Sequence, residues 1–366
     1  MPVAEADLRE IREAVGRLCA GFPMSYWREL DRDRAYPSAF VRALTEAGFL
    51  SCLIPEAYGG SGLGLTAAAA ILEEVQKSGA NGAGCHAQMY IMGTLLRHGS
   101  EEQKQRYLPK IASGELRLQA FGVTEPGAGS ETTRIRTRAD RVPEGWRING
   151  QKIWTSRALY SDLMILLART TAYDELEKKT EGLSVFIFDM RDLPGLTIKP
   201  IPTMMNHNTT EVFFDDVVIP ADSLIGEEGR GFRYILDGMN AERILIASEC
   251  IGDGRFLLER AVAYSNSREV FGGPIGANQG VQFPLARAYA QLSAANLVRY
   301  EAARKFDAGE KCATEANMAK FLASEASWAA ANAALDAHGG FGFAVEYDIE
   351  RKFRETRLYQ VAPINN

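Results

Sequence analysis

The apolar positions of the chain change period twice. Leu8, Ile11, Val15 and Leu18 recur at three and four residues and predict one face of a helix. Phe40, Leu44 and Ala47 continue that spacing, and Gly48 reads as its C-terminal stop. Thr66 is expected to cap a helix from Ala67 to Ser78, closed by Gly79. Ser100-Glu101-Glu102-Gln103 has the spacing of a capping box. From Leu116 the period shortens. Leu116 to Ala120 alternates as a half-buried strand does, and Arg134 to Asp140 and Trp146 to Ile148 look similar. Asn149-Gly150, between Ile148 and Ile153, predicts a two-residue hairpin turn, because both residues tolerate positive φ. Met164 to Ala168, Leu183 to Phe188, Leu196 to Ile201 and Glu211 to Ile219 extend the run of short strands, which Pro220 ends. Helical spacing returns from Phe232 to Tyr264. It breaks at Gly272-Gly273-Pro274 and resumes over Gln279 to Phe306, Ala313 to His338 and Val345 to Arg357.

Periodicity therefore predicts an α-domain, a β-domain and an α-bundle, in that order. Such blocks are not the alternation that builds a parallel sheet, and no Gly-x-Gly-x-x-Gly follows a strand, which argues against a Rossmann dinucleotide fold. The length, 366 residues, suits two or three domains. A hydrophobic content of 46% with 24% charged residues excludes collagen, coiled-coil and disordered classes. The net charge of -6, with no block of Lys or Arg, gives no nucleic-acid footprint. No apolar run is long enough for a bilayer span, and the acidic, polar N-terminus is not a secretory leader. The five cysteines are scattered and read as reduced thiols of a cytoplasmic protein. The four histidines lie far apart, which disfavours a zinc hydrolase and any other metal site.

Two runs carry chemistry. Phe121-Gly122-Val123-Thr124-Glu125-Pro126-Gly127-Ala128-Gly129-Ser130 leaves a strand and enters a loop of small residues. Backbone N–H groups in such a loop can approach a phosphate or a flat ring; composition alone favours a glycine-rich turn between strands. Asn149-Gly150-Gln151-Lys152-Ile153-Trp154-Thr155-Ser156 would place Trp154 and Ser156 on one face of a strand. An aromatic there can stack on a planar cofactor while the hydroxyl bonds its edge, or it can be a core tryptophan beside a surface serine.

Together the two runs resemble the flavin-binding signatures of the acyl-CoA dehydrogenase family. Four further segments match in order: Pro55-Glu56-Ala57-Tyr58-Gly59-Gly60-Ser61-Gly62, Leu224 to Phe232, Arg268-Glu269-Val270-Phe271-Gly272, and His338-Gly339-Gly340-Phe341-Gly342. The resemblance covers nearly the whole chain. It implies an N-terminal α-helical domain over residues 1–115, a middle antiparallel β-barrel or sandwich over 116–221, and a C-terminal four-helix bundle over 222–366. It also implies bound FAD. Phe121 to Ser130, Gly129 included, would line the flavin, with Val123 and Thr124 at its pyrimidine side and Ser130 near the acyl-CoA. Trp154 would cover the dimethylbenzene end and Ser156 would bond near N5. Arg268, Phe271, Gln279, Gly339 and Gly340 would reach the FAD of a neighbouring subunit, in a homo-oligomer expected to be a tetramer. Asp336 stands where relatives often carry Gln.

The family reaction removes a proton α to a thioester carbonyl while the β-carbon gives hydride to the flavin. The α-proton is a weak acid, so the carbonyl must be polarised by positioned donors as enolate charge develops. Many relatives carry the catalytic glutamate in a C-terminal Tyr-Glu-Gly-Thr segment. Here Tyr359 to Asn366 matches that stretch, and Pro363 falls where the glutamate should be, offering neither carboxylate nor N–H. Other relatives, isovaleryl-CoA dehydrogenase among them, place it on the long helix that opens the bundle, just before an arginine. Met239-Asn240-Ala241-Glu242-Arg243 stands there. The resemblance thus makes Glu242 the base and puts Asn240 and Arg243 along the pantetheine. The expected function is dehydrogenation of an acyl-CoA to a trans-2-enoyl-CoA, with electrons passed to an electron-transfer flavoprotein. An acyl-carrier-protein thioester, a flavin monooxygenase on the same fold, and a non-catalytic flavin-holding subunit are the alternatives. Glu125 and Glu131 are expected to be loop structure, and His86 and His98 to help the first helices.

Overall fold

The computed structural model describes residues 5–362 and 364–366. Pro363 lies outside the described residues. Among the described residues ten α-helices and a large sheet follow one another in the predicted order. The first helices are α1 (Glu5–Ala20), α2 (Met24–Asp33), α3 (Ser38–Glu46), α4 (Leu65–Lys77), α5 (Ala83–His98) and α6 (Glu101–Ser113). The strands are β1 (Leu118–Gly122), β2 (Arg138–Val142), β3 (Gly145–Ser156), β4 (Leu163–Arg169), β5 (Leu183–Asp189), β6 (Leu196–Pro200), β7 (Thr209–Ile219) and β8 (Leu224–Ile225). The last helices are α7 (Gly231–Ser267), α8 (Gln279–Asp307), α9 (Ala313–His338) and α10 (Ile349–Tyr359).

The described residues form two compact units that cut across the three sequence blocks. One takes in the described residues among 1–40, Leu63–His86 and the described residues among 240–366; the other is Val41–Gly62 with Ala87–Met239. The first helices are shared because their apolar faces belong to different cores. Trp27 and Phe40 pack edge to face within the helical unit, with ring centres 4.8 Å apart. Leu95, Leu108 and Ile111 belong to the core of the other unit.

That second core explains why β4 and β5 carry uninterrupted apolar runs. Leu163, Ile165 and Leu167 face the cluster of α5 and α6, together with Leu183, Val185 and Ile187. Met164, Leu166 and Ala168 face the opposite way, onto Trp146, Ile148, Val212, Phe214 and Val217 of β3 and β7. With both faces covered, alternation in polarity disappears while alternation in direction remains. The strand order is β6-β7-β3-β2-β4-β5-β8, with β1 added beside β4. Most pairs are antiparallel, as expected, but β1 and β2 each run parallel to β4. The β2–β3 hairpin is the crossover that brings the chain back in the same direction.

Two local expectations need correction. Asn149-Gly150 is not a turn: β3 runs straight through it, and the two-residue turn is Pro143-Glu144, between the paired Val142 and Gly145. Asn149 and Gly150 sit at a bulge against β7, where the Asn149 amide donates to Asp216 Oδ1 and accepts from the Asp216 N–H. Gly150, at φ 147°, is needed because a Cβ there would lie 2.6 Å from the Thr137 backbone. Nor does Thr66 cap its helix. Helix α4 starts two residues earlier, at Leu65 after the N-cap Gly64, and the side chain that satisfies its first N–H groups comes from Asp307 at the end of α8. The Asp307 carboxylate accepts from the Leu65 N–H at 2.6 Å, the Thr66 N–H at 3.0 Å and the Thr66 hydroxyl at 2.6 Å. Replacing Asp307 with Ala orphans these donors and is expected to destabilise the protein by about 1–2 kcal/mol, as N-cap losses do. Chemical denaturation would check it.

The Ser100 capping box is present as read. Ser100 Oγ accepts from the Gln103 N–H and Gln103 Oε1 accepts from the Ser100 N–H. All five cysteines are buried, and none forms a disulfide. Among the described residues no helix is long and apolar enough to cross a membrane, and no His/Cys/Asp/Glu group is disposed to hold a metal.

Candidate active site

In the sheet-bearing unit the site begins where β1 ends. The loop from Val123 is strapped to β3 by a buried ion pair. Lys152 Nζ donates to Glu125 Oε1 at 2.8 Å and to the Val123 carbonyl at 3.0 Å, and the Ile153 N–H donates to the Thr124 carbonyl at 2.9 Å. Glu125 also accepts from the Arg136 and Thr137 N–H groups, at 2.6 and 2.9 Å. Burial pushes the Glu125 carboxyl up, but Lys152 and these donors outweigh it and hold it below the usual range. Burial brings Lys152 down to about 8, and Glu125 opposes that shift, so the pair stays charged at neutral pH. Glu125 is thus a loop anchor, as expected. Glu131 is exposed, 3.7 Å from Arg134.

The strap presents an open loop. A Cβ at Gly127 or Gly129 would meet nothing within 4 Å, so no neighbour among the described residues explains those glycines. Gly129 and Ser130 are exposed, while Phe121, Val123 and Thr124 are half-buried. Beside the loop, β3 loses its regular pairing between Lys152 and Thr155. Trp154 sits there at φ 60° with 57% of its surface exposed. The bulge means that strict alternation does not place Trp154 and Ser156. Ser156 Oγ accepts from the Asn206 amide at 2.8 Å. A bulky residue held in the left-handed region is costly and is tolerated where the surroundings enforce it, commonly at ligand sites.

The helical unit holds the other candidates in two groups. Glu242, on α7, is 7% exposed and makes no hydrogen bond or ion pair among the described residues. Burial pushes its carboxyl up to about 7, while His86 and Arg243 pull the other way. Asn240 and Arg243 are half-buried beside it, and Arg243 Nη1 donates to Asn240 Oδ1 at 3.3 Å. His86 is buried on α5, and its Nδ1 lies 3.3 Å from Glu249 Oε2. Sequence reasoning gave His86 only a packing role.

The second group surrounds a cavity of about 640 Å³ lined by Tyr264, Arg268, Asp336, His338, Gly339 and Gly340, among others. Gly339 is at φ 57°, and a Cβ at either glycine would meet nothing within 4 Å. Phe271 and Gln279 do not line the cavity. Phe271 and Gly272 form the two-residue turn of a small hairpin, at φ 53° and 85°. That turn leaves the Phe271 ring fully exposed, covered by nothing among the described residues. Gln279, the first residue of α8, is also exposed.

In the sheet-bearing unit an open glycine loop, an exposed indole and a hydroxyl on the same strand suit a group with a flat ring; in the helical unit the glycine-lipped cavity suits a phosphate-bearing group. Comparison with known proteins decides which groups these are. Residues 5–115, 120–217 and 229–362 match the N-terminal, middle and C-terminal domains of acyl-CoA dehydrogenase. The chain belongs to the acyl-CoA dehydrogenase family. It is therefore an oxidoreductase of an FAD-dependent family. Among curated relatives, acyl-CoA dehydrogenase FadE12 of Mycobacterium tuberculosis is 34% identical over 99% of this chain and 94% of its own. The solved glutaryl-coenzyme A dehydrogenase complex with glutaryl-CoA superposes with a TM-score of 0.91 at 30% identity, over 99% of this chain and 92% of that one. The FAD complex of PigA gives 0.91 at 25% identity, over 100% and 96%. These structures share the acyl-CoA dehydrogenase order of helices, sheet and helices seen here.

Proposed function

We propose that this acyl-CoA dehydrogenase family member converts an acyl-CoA thioester to the trans-2-enoyl-CoA, with Glu242 as the base. The observation that carries the reading is a buried carboxylate with no structural partner. A buried acid kept for stability is hydrogen-bonded or paired; one left unpaired, with its pKa raised to about 7, suits a proton acceptor working near neutrality. Glu242 takes the α-proton and becomes the neutral acid that its buried setting favours. Arg243 and Asn240 would hold the pantetheine, and Ser130 the thioester end.

Val123, Thr124, Trp154, Ser156 and the loop glycines would hold the flavin ring. Arg268, Phe271, Gln279, Gly339 and Gly340 would reach the FAD of a neighbouring subunit in a homotetramer, which accounts for an uncovered Phe271. Bound FAD supplies the hydride acceptor for the β-carbon and the route by which electrons leave for an electron-transfer flavoprotein. A relative whose structure holds glutaryl-CoA supports a CoA thioester as the substrate class.

A panel of acyl-CoA thioesters, added anaerobically to the FAD-loaded protein, tests this. At least one is expected to bleach the oxidised-flavin absorbance and yield a 2-enoyl-CoA by mass. Consumption of NADH with oxygen uptake, and no bleaching by any thioester, would replace the dehydrogenase by a monooxygenase.

A further inference from the structure

Strand β4 ends on a charged residue in an apolar register. Leu163, Ile165 and Leu167 face the core shared with α5 and α6, and Arg169 is next in that alternation. It is 5% exposed and makes no ion pair among the described residues. An arginine so buried is rare, and costly without a counter-ion. What holds it is backbone. Its Nε donates to the Ile135 carbonyl at 3.0 Å, Nη2 to the Thr133 carbonyl at 2.6 Å and Nη1 to the Thr171 carbonyl at 3.4 Å. Its own N–H donates to the Thr137 carbonyl at 2.7 Å. The guanidinium lies 5.4 Å from the centre of the Tyr173 ring, and that of Arg134 lies 5.3 Å from the same centre.

Thr133 to Thr137 is the return limb of the glycine loop. Glu125 grips this limb by the N–H groups of Arg136 and Thr137, and Arg169 grips it by its carbonyls. The outgoing limb is held separately, Val123 and Thr124 being bonded by Lys152 and Ile153 of β3. Between the limbs, Ser130 is exposed and makes no hydrogen bond among the described residues. It stands three residues before Thr133, so whatever fixes that carbonyl limits where the hydroxyl can go.

We propose that Arg169 is a positioning residue for the substrate, clamping the return limb so that the Ser130 hydroxyl stands where the thioester binds. The inference rests on Ser130 lying at the thioester end, as proposed above. The clamp depends on the flat fork of the guanidinium, which reaches three carbonyls in fixed directions; an ammonium is a point donor. The two holds therefore separate. Loosening the Lys152 strap acts on Val123 and Thr124 and hence on FAD, whereas loosening the Arg169 clamp acts on Ser130 and hence on the thioester.

Variants are measured as the FAD-loaded protein, after circular dichroism has confirmed the fold, with a thioester that bleaches the wild-type flavin. In Arg169→Lys the KM is expected to rise about tenfold, the loss of one hydrogen bond. The kcat is expected to stay within about twofold, as for a contact made equally in the ground and transition states, and the ratio of FAD to protein to stay at the wild-type value. Ser130→Ala is expected to give the same rise, and the double variant no more than the larger single one. Tyr173→Leu removes the ring shared by the two guanidinium groups and leaves the buried charge in place. Its KM should rise about threefold, and it carries the test if Arg169→Lys does not fold. Effects that multiply in the double variant, or a joint loss of kcat and FAD with KM unmoved, would make Arg169 a core support and overturn the inference. If Ser130→Ala alone leaves KM unchanged, the placing of Ser130 at the thioester falls, and the inference with it.

Discussion

Glu242→Gln is expected to lower thioester oxidation by about 10²–10⁴-fold, the range associated with loss of a general base, while FAD stays bound. The amide keeps the size of the side chain but cannot accept the proton. Wild type carries its own check in the pH dependence. With the carboxyl titrating at about 7, the rate should fall tenfold per unit below that pH and level off above it. Stability moves in the opposite sense. The folded value of about 7 lies above the ordinary 4.5, so between these the folded state binds more protons than the unfolded chain. Stability contributed by Glu242 is complete below about 4.5 and is lost as pH rises through about 7. At a pH of about 8 the Gln variant should therefore be the more stable protein, by up to about 3 kcal/mol, as buried catalytic groups trade stability for activity. Melting curves at two pH values would show it. Equal stability at both would mean that Glu242 is solvated.

Lys152→Met is expected to cost about 3–5 kcal/mol, the range for removing one partner of a buried pair. Methionine fills the space of the aliphatic stem but takes away the cation paired with Glu125, leaving it two N–H donors and the electrostatic pull of Arg169. The Val123 carbonyl loses its donor as well. Both losses fall on the loop proposed to line the flavin, so the ratio of FAD to protein after gel filtration should drop along with the unfolding midpoint. Glu125→Gln tests the converse. It strands Lys152, whose pKa burial has already lowered to about 8, so that deprotonation limits the damage. Its destabilisation should be the smaller of the two, and should shrink further above pH 8.

What the sequence revealed divides along chain separation. The Ser100 capping box was legible because both bonds close within three residues. The α4 cap was not, because its acceptor, Asp307, is 241 residues from Thr66. Apolar runs located β4 and β5 because burial on both faces demands them. Asn149-Gly150 misled because glycine also serves where another backbone comes close, and Thr137 supplies that approach. At the site, Glu242 stood out through the Asn-Ala-Glu-Arg segment and the proline where a C-terminal base would stand. Phe271 was singled out by motif, and the structure adds why it is unusual: a full aromatic ring displayed on a left-handed turn. The contact of His86 with Glu249 could not be read from its neighbours in sequence, since the two residues sit on different helices. Lys152 was quoted within its run but not weighed, because its burial depends on a loop some thirty residues earlier.

The most direct test of the account is exchange of the substrate's α-hydrogen with deuterated water, followed by NMR on an acyl-CoA that the protein oxidises or on an analogue it binds without oxidising. The wild-type protein is expected to wash deuterium into the α-position, more slowly as pH falls below about 7, and Glu242→Gln to leave the α-hydrogen in place. Exchange that proceeds undiminished in Glu242→Gln would assign proton abstraction to another group and contradict the account.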